Sequence, residues 1–268
     1  MMPCICTTCG VQYAAQTQKP EYCTVCCDDR QYVNWQGQTW TTLAQMQQYY
    51  RNNIQEVEPN VYQIQTTPRF AIGQKAHLIQ TAAGNVLWDC VTLLDQETIE
   101  KINQLGGIAA IAISHPHYFA TMVNWSQAFG GVPVYLHALD KEWVMQPDSS
   151  LHFWEGARKP LLDYNLQLIK CGGHFPGASV LYWPNGADGK GVLFSGDTIQ
   201  VAMDRQSVSF MYSYPNLIPL NKPSILGIQE AVAKVSFDRI YGAFEAHIPE
   251  NARQALDKSI TRYLHIYE

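Results

Sequence analysis

The stretch Ile108-Ala109-Ala110-Ile111-Ala112-Ile113-Ser114-His115-Pro116-His117 decides the fold. Its first six residues form a continuous apolar run rich in isoleucine, which predicts a strand buried on both faces. Two histidines follow where that strand ends, the end at which α/β folds place their sites. In an extended segment, residues two apart project to the same side, so His115 and His117 can face one ion. Pro116 between them removes a backbone donor and stiffens the loop.

The surrounding pattern sets this strand in a layered α/β fold. Upstream, Val61–Gln65 alternates at period two as a half-buried strand does. Ala76–Gln80 and Val86–Trp88 are the next strands, with Ala83-Gly84-Asn85 as the turn between them. Asp95–Leu105 has helical spacing and stops at Gly106-Gly107. Downstream, Tyr118–Phe129 reads as helix, and Val132–Leu136, Leu166–Ile169, Val180–Trp183 and Val192–Phe194 read as strands. A helix near Pro223–Val235, a strand at Arg239–Tyr241 and a helix over Pro249–Tyr263 complete the chain. Hairpins first and helix-linked strands later imply a mixed α/β layered architecture. The composition divides the chain into a cysteine-rich segment 1–36, a connecting helix and linker 37–59, and a main domain 60–268. Within the linker, Thr41–Tyr50 reads as a short helix capped by Thr41 or Thr39.

Two further strand-end loops carry ligand chemistry. Cys171-Gly172-Gly173-His174-Phe175-Pro176-Gly177 puts a histidine among three glycines, on backbone able to approach a ligand closely. Phe194-Ser195-Gly196-Asp197-Thr198 puts an aspartate on a tight turn after a strand. Three histidines and a carboxylate suit Zn²⁺, and also Fe or Mn. Asp89, H-x-H, Gly-His and Gly-Asp-Thr occur here in the order of the metallo-β-lactamase superfamily, which residues 60–268 resemble. The resemblance implies a four-layer αββα sandwich with a metal site on loops at one edge of its two sheets. It implies that His115, His117 and His174 bind a first metal, that Asp197 bridges two metals, and that Asp89 supports the site from a strand end.

Departures from that family narrow the expectation. Its H-x-H-x-D-H signature ends in two ligands of a second metal, and Phe119 and Ala120 stand at those positions. Near the last strand, Tyr241-Gly242-Ala243-Phe244-Glu245-Ala246-His247 has Ala243 where the family's final histidine would fall. His247 is the remaining candidate ligand there, with Glu245 a weaker one. A one-ion site follows. With one ion, Asp197 is the nearest candidate base or orienting group. Tyr118 is a candidate oxyanion donor, or else a packing residue of the helix it begins.

Of eight cysteines, six fall in the first 27 residues, and the spacing of four is diagnostic. Cys6-Thr7-Thr8-Cys9 and Cys23-Thr24-Val25-Cys26 are two C-x2-C knuckles separated by thirteen residues. They resemble the knuckle pair of a zinc ribbon or rubredoxin, a tetrahedral Cys₄ site that supplies folding energy to a small module. Zinc is the expected occupant, one ion in each site, with iron or manganese the alternatives in either. Cys4 and Cys27 are spare thiols; Cys90 and Cys171 read as buried small hydrophobes.

Charge and hydropathy exclude other classes. The 18 basic and 23 acidic residues are interspersed, so no basic face for nucleic acid is visible. No apolar run is long enough to cross a bilayer, and the N-terminus lacks the features of a secretory signal. A cytoplasmic protein acting on a small-molecule substrate is therefore expected. The leading expectation is a metal-dependent hydrolase. An iron redox enzyme with a rubredoxin-like centre, or a non-catalytic scaffold, are the alternatives. The aromatic stretch Phe210–Pro219 reads as a non-helical lid over the site or as a homodimer surface.

Overall fold

A computed structural model of the protein describes residues 2–162 and 165–267. The chain packs as two compact units, Met1–Leu136 with Lys141–Phe153, and His137–Asp140 with Trp154–Glu268. In the first unit, β1 (Met2–Cys6) lies between β2 (Gln12–Gln16) and β3 (Trp40–Thr41), antiparallel to both. The helix Leu43–Tyr49 follows, capped by Thr42, whose side chain accepts from the Gln45 N–H. The cap thus falls one residue after Thr41, because the backbone of Thr41 is still engaged in β3.

A seven-stranded sheet is built next, in the order β10-β9-β8-β7-β6-β5-β4. Its edge is β4 (Arg51–Glu58), which pairs antiparallel with β5 (Val61–Thr67) and sets Ile54 opposite Ile64. Residues 51–58, expected as linker, are therefore strand. Only Ile54 of β4 is buried, and a charged, polar edge strand shows little hydrophobic alternation. β6 (Lys75–Thr81) and β7 (Gly84–Trp88) form the next hairpin, which turns at residues 82–83, one position earlier than expected. Asp95 caps the helix Gln96–Gln104 by accepting from the Thr98 N–H at 2.8 Å. The helix ends at Gly106 and Gly107, at φ +100 and +72.

β8 (Ala110–Ala112) runs parallel to both β7 and β9 (Val134–His137), and β10 (Leu151–Trp154) closes the sheet. The single helix expected over Tyr118–Phe129 is broken in two. A 3₁₀ turn covers Pro116–Tyr118 and an α-helix covers Met122–Ala128. Ala120 stands between them at φ +39, its carbonyl bonded to the Gln12 N–H of β2 at 3.0 Å. A bond to another element has taken the place of helical propagation.

The second unit holds β11 (Arg158–Leu161), β12 (Leu166–Lys170), β13 (Ser179–Trp183) and β14 (Val192–Gly196), an antiparallel meander. Two small hairpins follow, β15 (Gln200–Val201) with β16 (Val208–Ser209) and β17 (Met211–Ser213) with β18 (Ile218–Pro219). β19 (Arg239–Gly242) pairs parallel to β14, and β20 (His247–Ile248) ends the sheet. The helices Lys222–Val232 and Ala252–Ile266 contribute Ile225, Ile228, Val232, Leu256 and Ile260 to one core with Val180, Leu193 and Ile240. Each such side chain stabilises the fold by about 1.5–3 kcal/mol when fully buried. Among the described residues no helix is long and apolar enough to cross a membrane.

Candidate metal centres

His115 and His117 are held from the end of β7. Asp89 takes a left-handed backbone, φ +62, and its N–H donates to the Ala112 carbonyl at 2.9 Å. That turn brings its Oδ1 within 2.7 Å of the Ser114 N–H. Ser114 Oγ in turn lies 2.9 Å from His115 Nδ1. The two imidazoles do not share one side of an extended segment. His115 is extended, but Pro116 starts the 3₁₀ turn, and the rings meet edge-on with centroids 5.2 Å apart. Tyr118, fully buried, sets its ring edge-on to His115 at 5.2 Å. Phe119 and Ala120 are buried and offer no ligand atom.

In the second unit, His174 sits on the glycine loop between β12 and β13. Gly173 has φ +82, and a Cβ there would lie 2.8 Å from Leu220 Cδ1, so the approach requires glycine. His174 Nδ1 lies 3.1 Å from the Met211 carbonyl, a partner that leaves Nε2 to face a ligand. Asp197 follows β14 on a tight turn closed by Thr198 N–H to Ser195 C=O at 3.1 Å. Tyr214 donates its hydroxyl to the Asp197 carbonyl at 2.8 Å and meets the His174 ring at 5.7 Å. Burial, then the negative charge of Asp197, pushes the Tyr214 phenol well up, so it remains a donor. The aromatic stretch expected as lid or dimer surface is thus the β17–β18 hairpin, which supplies both Met211 and Tyr214.

The four knuckle cysteines are buried together. Cys6 Sγ lies 3.6 Å from Cys26 Sγ, and Cys9 Sγ lies 3.7 Å from Cys23 Sγ. Gln38 Nε2 donates to Cys6 Sγ at 3.2 Å and Tyr13 O–H to Cys23 Sγ at 3.5 Å. Hydrogen bonds among the four push the Cys6 thiol well down and the Cys9 and Cys26 thiols up. Cys4, Cys90 and Cys171 are buried and Cys27 is exposed. Burial pushes Cys171 up to about 12, as befits an inert thiol.

Among the described residues, two groups of His, Cys, Asp or Glu could hold a metal ion. They are Cys6, Cys9, Cys23 and Cys26, and His115, His117, His174 and Asp197. In each group the ligand atoms lie within 4.8 Å of one another and every residue is buried. His247 belongs to neither group; it lies on β20 with its ring stacked on Tyr241, centroids 5.5 Å apart. Ser114, Met211 and Tyr214 were not foreseen as site residues. Ser114 was legible only as a neighbour of His115, and Met211 acts through its backbone, which leaves no side-chain signal.

The chain matches no protein-family model. It is 51% identical over 267 residues to the uncharacterized protein YmaE of Bacillus subtilis, covering 97% of this chain and 95% of that one. Among solved structures it resembles VMB-1 with a TM-score of 0.62 at 15% identity, covering 81% of this chain and 99% of that one. It resembles the DIM-1 metallo-β-lactamase at 0.59 and 16%, covering 79% and 96%. The mono-zinc form of the metallo-β-lactamase FIM-1 from Pseudomonas aeruginosa matches at 0.53 and 14%, covering 78% and 96%. At these identities the structural likeness is one of fold.

Proposed function

The chain belongs to the family of YmaE from Bacillus subtilis and has the metallo-β-lactamase fold, and on that premise we propose a metal-dependent hydrolase with a one-ion site. The observation that carries this is the donor set of His115, His117, His174 and Asp197, whose ligand atoms lie within 4.8 Å of one another. Three imidazoles and a carboxylate fit a single Zn²⁺, with Fe or Mn the other divalent ions such donors accept. Phe119 and Ala120 leave a second ion without the donors that follow an H-x-H pair. When bound, the ion supplies a Lewis acid for substrate and water.

The protein's residues do the positioning. The Met211 carbonyl holds His174 through Nδ1, and Ser114 holds His115 through its Nδ1, so Nε2 of each ring would be the nitrogen left to hold an ion. Asp197, its backbone anchored by Tyr214, would help hold the ion and is the nearest carboxylate to orient a water there. Tyr118, packed against His115, steadies that ring. Cys6, Cys9, Cys23 and Cys26 would hold a second ion, zinc, as a structural site. Eight cysteines with no disulfide between any of them suit a reducing compartment, and we place the protein in the cytoplasm, acting on a small molecule.

Metal analysis of the purified chain tests this. We expect two equivalents in the wild type, about one in His115→Ala and about one in Cys6→Ser. Full metal content in His115→Ala would refute the His/Asp site. A panel of ester, thioester and phosphodiester substrates then separates hydrolase from scaffold: activity must appear in the wild type and vanish in His115→Ala. An iron Cys₄ centre would show itself as colour in the purified protein, and a zinc one would not.

A further inference from the structure

We infer that the metal-bound cysteine knuckle is the positioning element for the His115–His117 pair. This rests on the reading of both metal sites above and adds a coupling between them. The first knuckle closes on itself, with Gly10 N–H donating to Cys6 C=O at 2.9 Å and Cys6 N–H to Val11 C=O at 3.0 Å. From there its backbone reaches both segments that lead into the histidine pair. The Gly10 carbonyl, one residue past Cys9, accepts from Thr92 Oγ1 at 3.1 Å, and the Thr92 carbonyl accepts from Thr121 Oγ1 at 2.8 Å. The Gln12 N–H donates to the Ala120 carbonyl at 3.0 Å, and Gln12 Nε2 donates to Asn124 Oδ1 at 2.5 Å.

Thr92 lies three residues after Asp89, which holds Ser114; Ala120 lies three residues after His117. Gln12, Thr92, Ala120 and Thr121 are all buried, so water cannot replace these bonds if the knuckle loosens. The fit is close: Gly10 has φ +84, and a Cβ there would stand 2.3 Å from Thr92 Oγ1. A Cys₄ knuckle orders its turn only once its thiolates hold an ion. Filling the knuckle therefore fixes Gly10 and Gln12, and through them the two ends of the histidine segment. By linkage, the knuckle ion raises the affinity of the His/Asp site for its own ion.

The test is a cobalt(II) titration of the full chain, because thiolate and imidazole sites give separate absorption. Thiolate-to-cobalt charge transfer in the near ultraviolet reports the knuckle, and the weaker visible bands added afterwards report the His/Asp site. Thr92→Val deletes the hydroxyl that holds Gly10. We expect full thiolate absorption, which certifies a folded knuckle, and cobalt affinity at the His/Asp site weakened on the order of tenfold, the worth of a buried hydrogen bond. Thr92→Ser, which keeps the hydroxyl, should restore wild-type affinity. His/Asp-site affinity within twofold of wild type in Thr92→Val would overturn the inference, as would a Thr92→Ser variant as weak as Thr92→Val. A wild-type chain that takes cobalt only at its thiolates would instead overturn the His/Asp site itself, and the inference with it.

Discussion

Asp89 offers a test in which two substitutions at one position should separate. Its Oδ1 accepts from the buried Ser114 N–H at 2.7 Å, and its backbone sits in the left-handed region at φ +62. Asp89→Ala removes both supports. Leaving the Ser114 N–H without this acceptor costs about 1–3 kcal/mol. Holding alanine at a left-handed backbone adds about 1–2 kcal/mol, a cost that Asp and Asn largely escape. The expected loss is about 2–5 kcal/mol. Asp89→Asn keeps an oxygen for Ser114 and tolerates the same backbone, so its loss should stay near 1 kcal/mol. Urea unfolding of the metal-free chains, followed by far-ultraviolet circular dichroism, reads both values from the midpoints at constant slope. If alanine and asparagine destabilise equally to within about 0.5 kcal/mol, neither the acceptor nor the backbone is what Asp89 supplies, and the reasoning fails.

Two further perturbations probe the second unit. Tyr214→Phe deletes one hydrogen bond to the Asp197 carbonyl while keeping the ring against His174; stability should fall by about 0.5–1.5 kcal/mol and metal affinity at the His/Asp site several-fold. Unchanged thermal midpoint and unchanged zinc affinity, the latter measured against a competing chelator, would show that the hydroxyl anchors nothing. Burial holds the His137 imidazole below its ordinary value of 6.5, against the raising effect of the Gly156 carbonyl. The folded chain then binds fewer protons than the unfolded one as pH drops past that value. The stability tied to His137 is present above pH 6.5 and is lost on acidification. His137→Gln should flatten the decline of the unfolding free energy between about pH 7 and 5, and an identical slope in variant and wild type would refute the assignment.

The candidate donor set was legible because metal-binding residue types leave marks at strand ends. An apolar run closing on Ser-His-Pro-His, a histidine among glycines and a Gly-Asp-Thr turn each place a donor where a strand stops, and the structure gathers those four donors. The two C-x2-C knuckles were equally plain, since thiolates at that spacing have few other uses in a short segment. What stayed hidden acts through backbone or through distance. Met211 serves His174 with a carbonyl from 37 residues away, and a carbonyl carries no side-chain signature. Strand β4 was hidden for a different reason: an edge strand buries one side chain, Ile54, and shields its rim with charge, which looks like linker.

The break at Ala120 belongs to both problems. Periodicity across Tyr118–Phe129 favoured one continuous helix, and only a partner from elsewhere could interrupt it. That partner is Gln12, two residues past the glycine that closes the first cysteine knuckle. Position 120 therefore contributes a main-chain acceptor to the knuckle and no side-chain donor to an ion. Alanine holds that left-handed position, φ +39, against the cost its Cβ carries there, so the bond to Gln12 offsets local strain. One bond thus ties the residue three positions after His117 to the strand that follows the first cysteine knuckle, more than a hundred residues upstream.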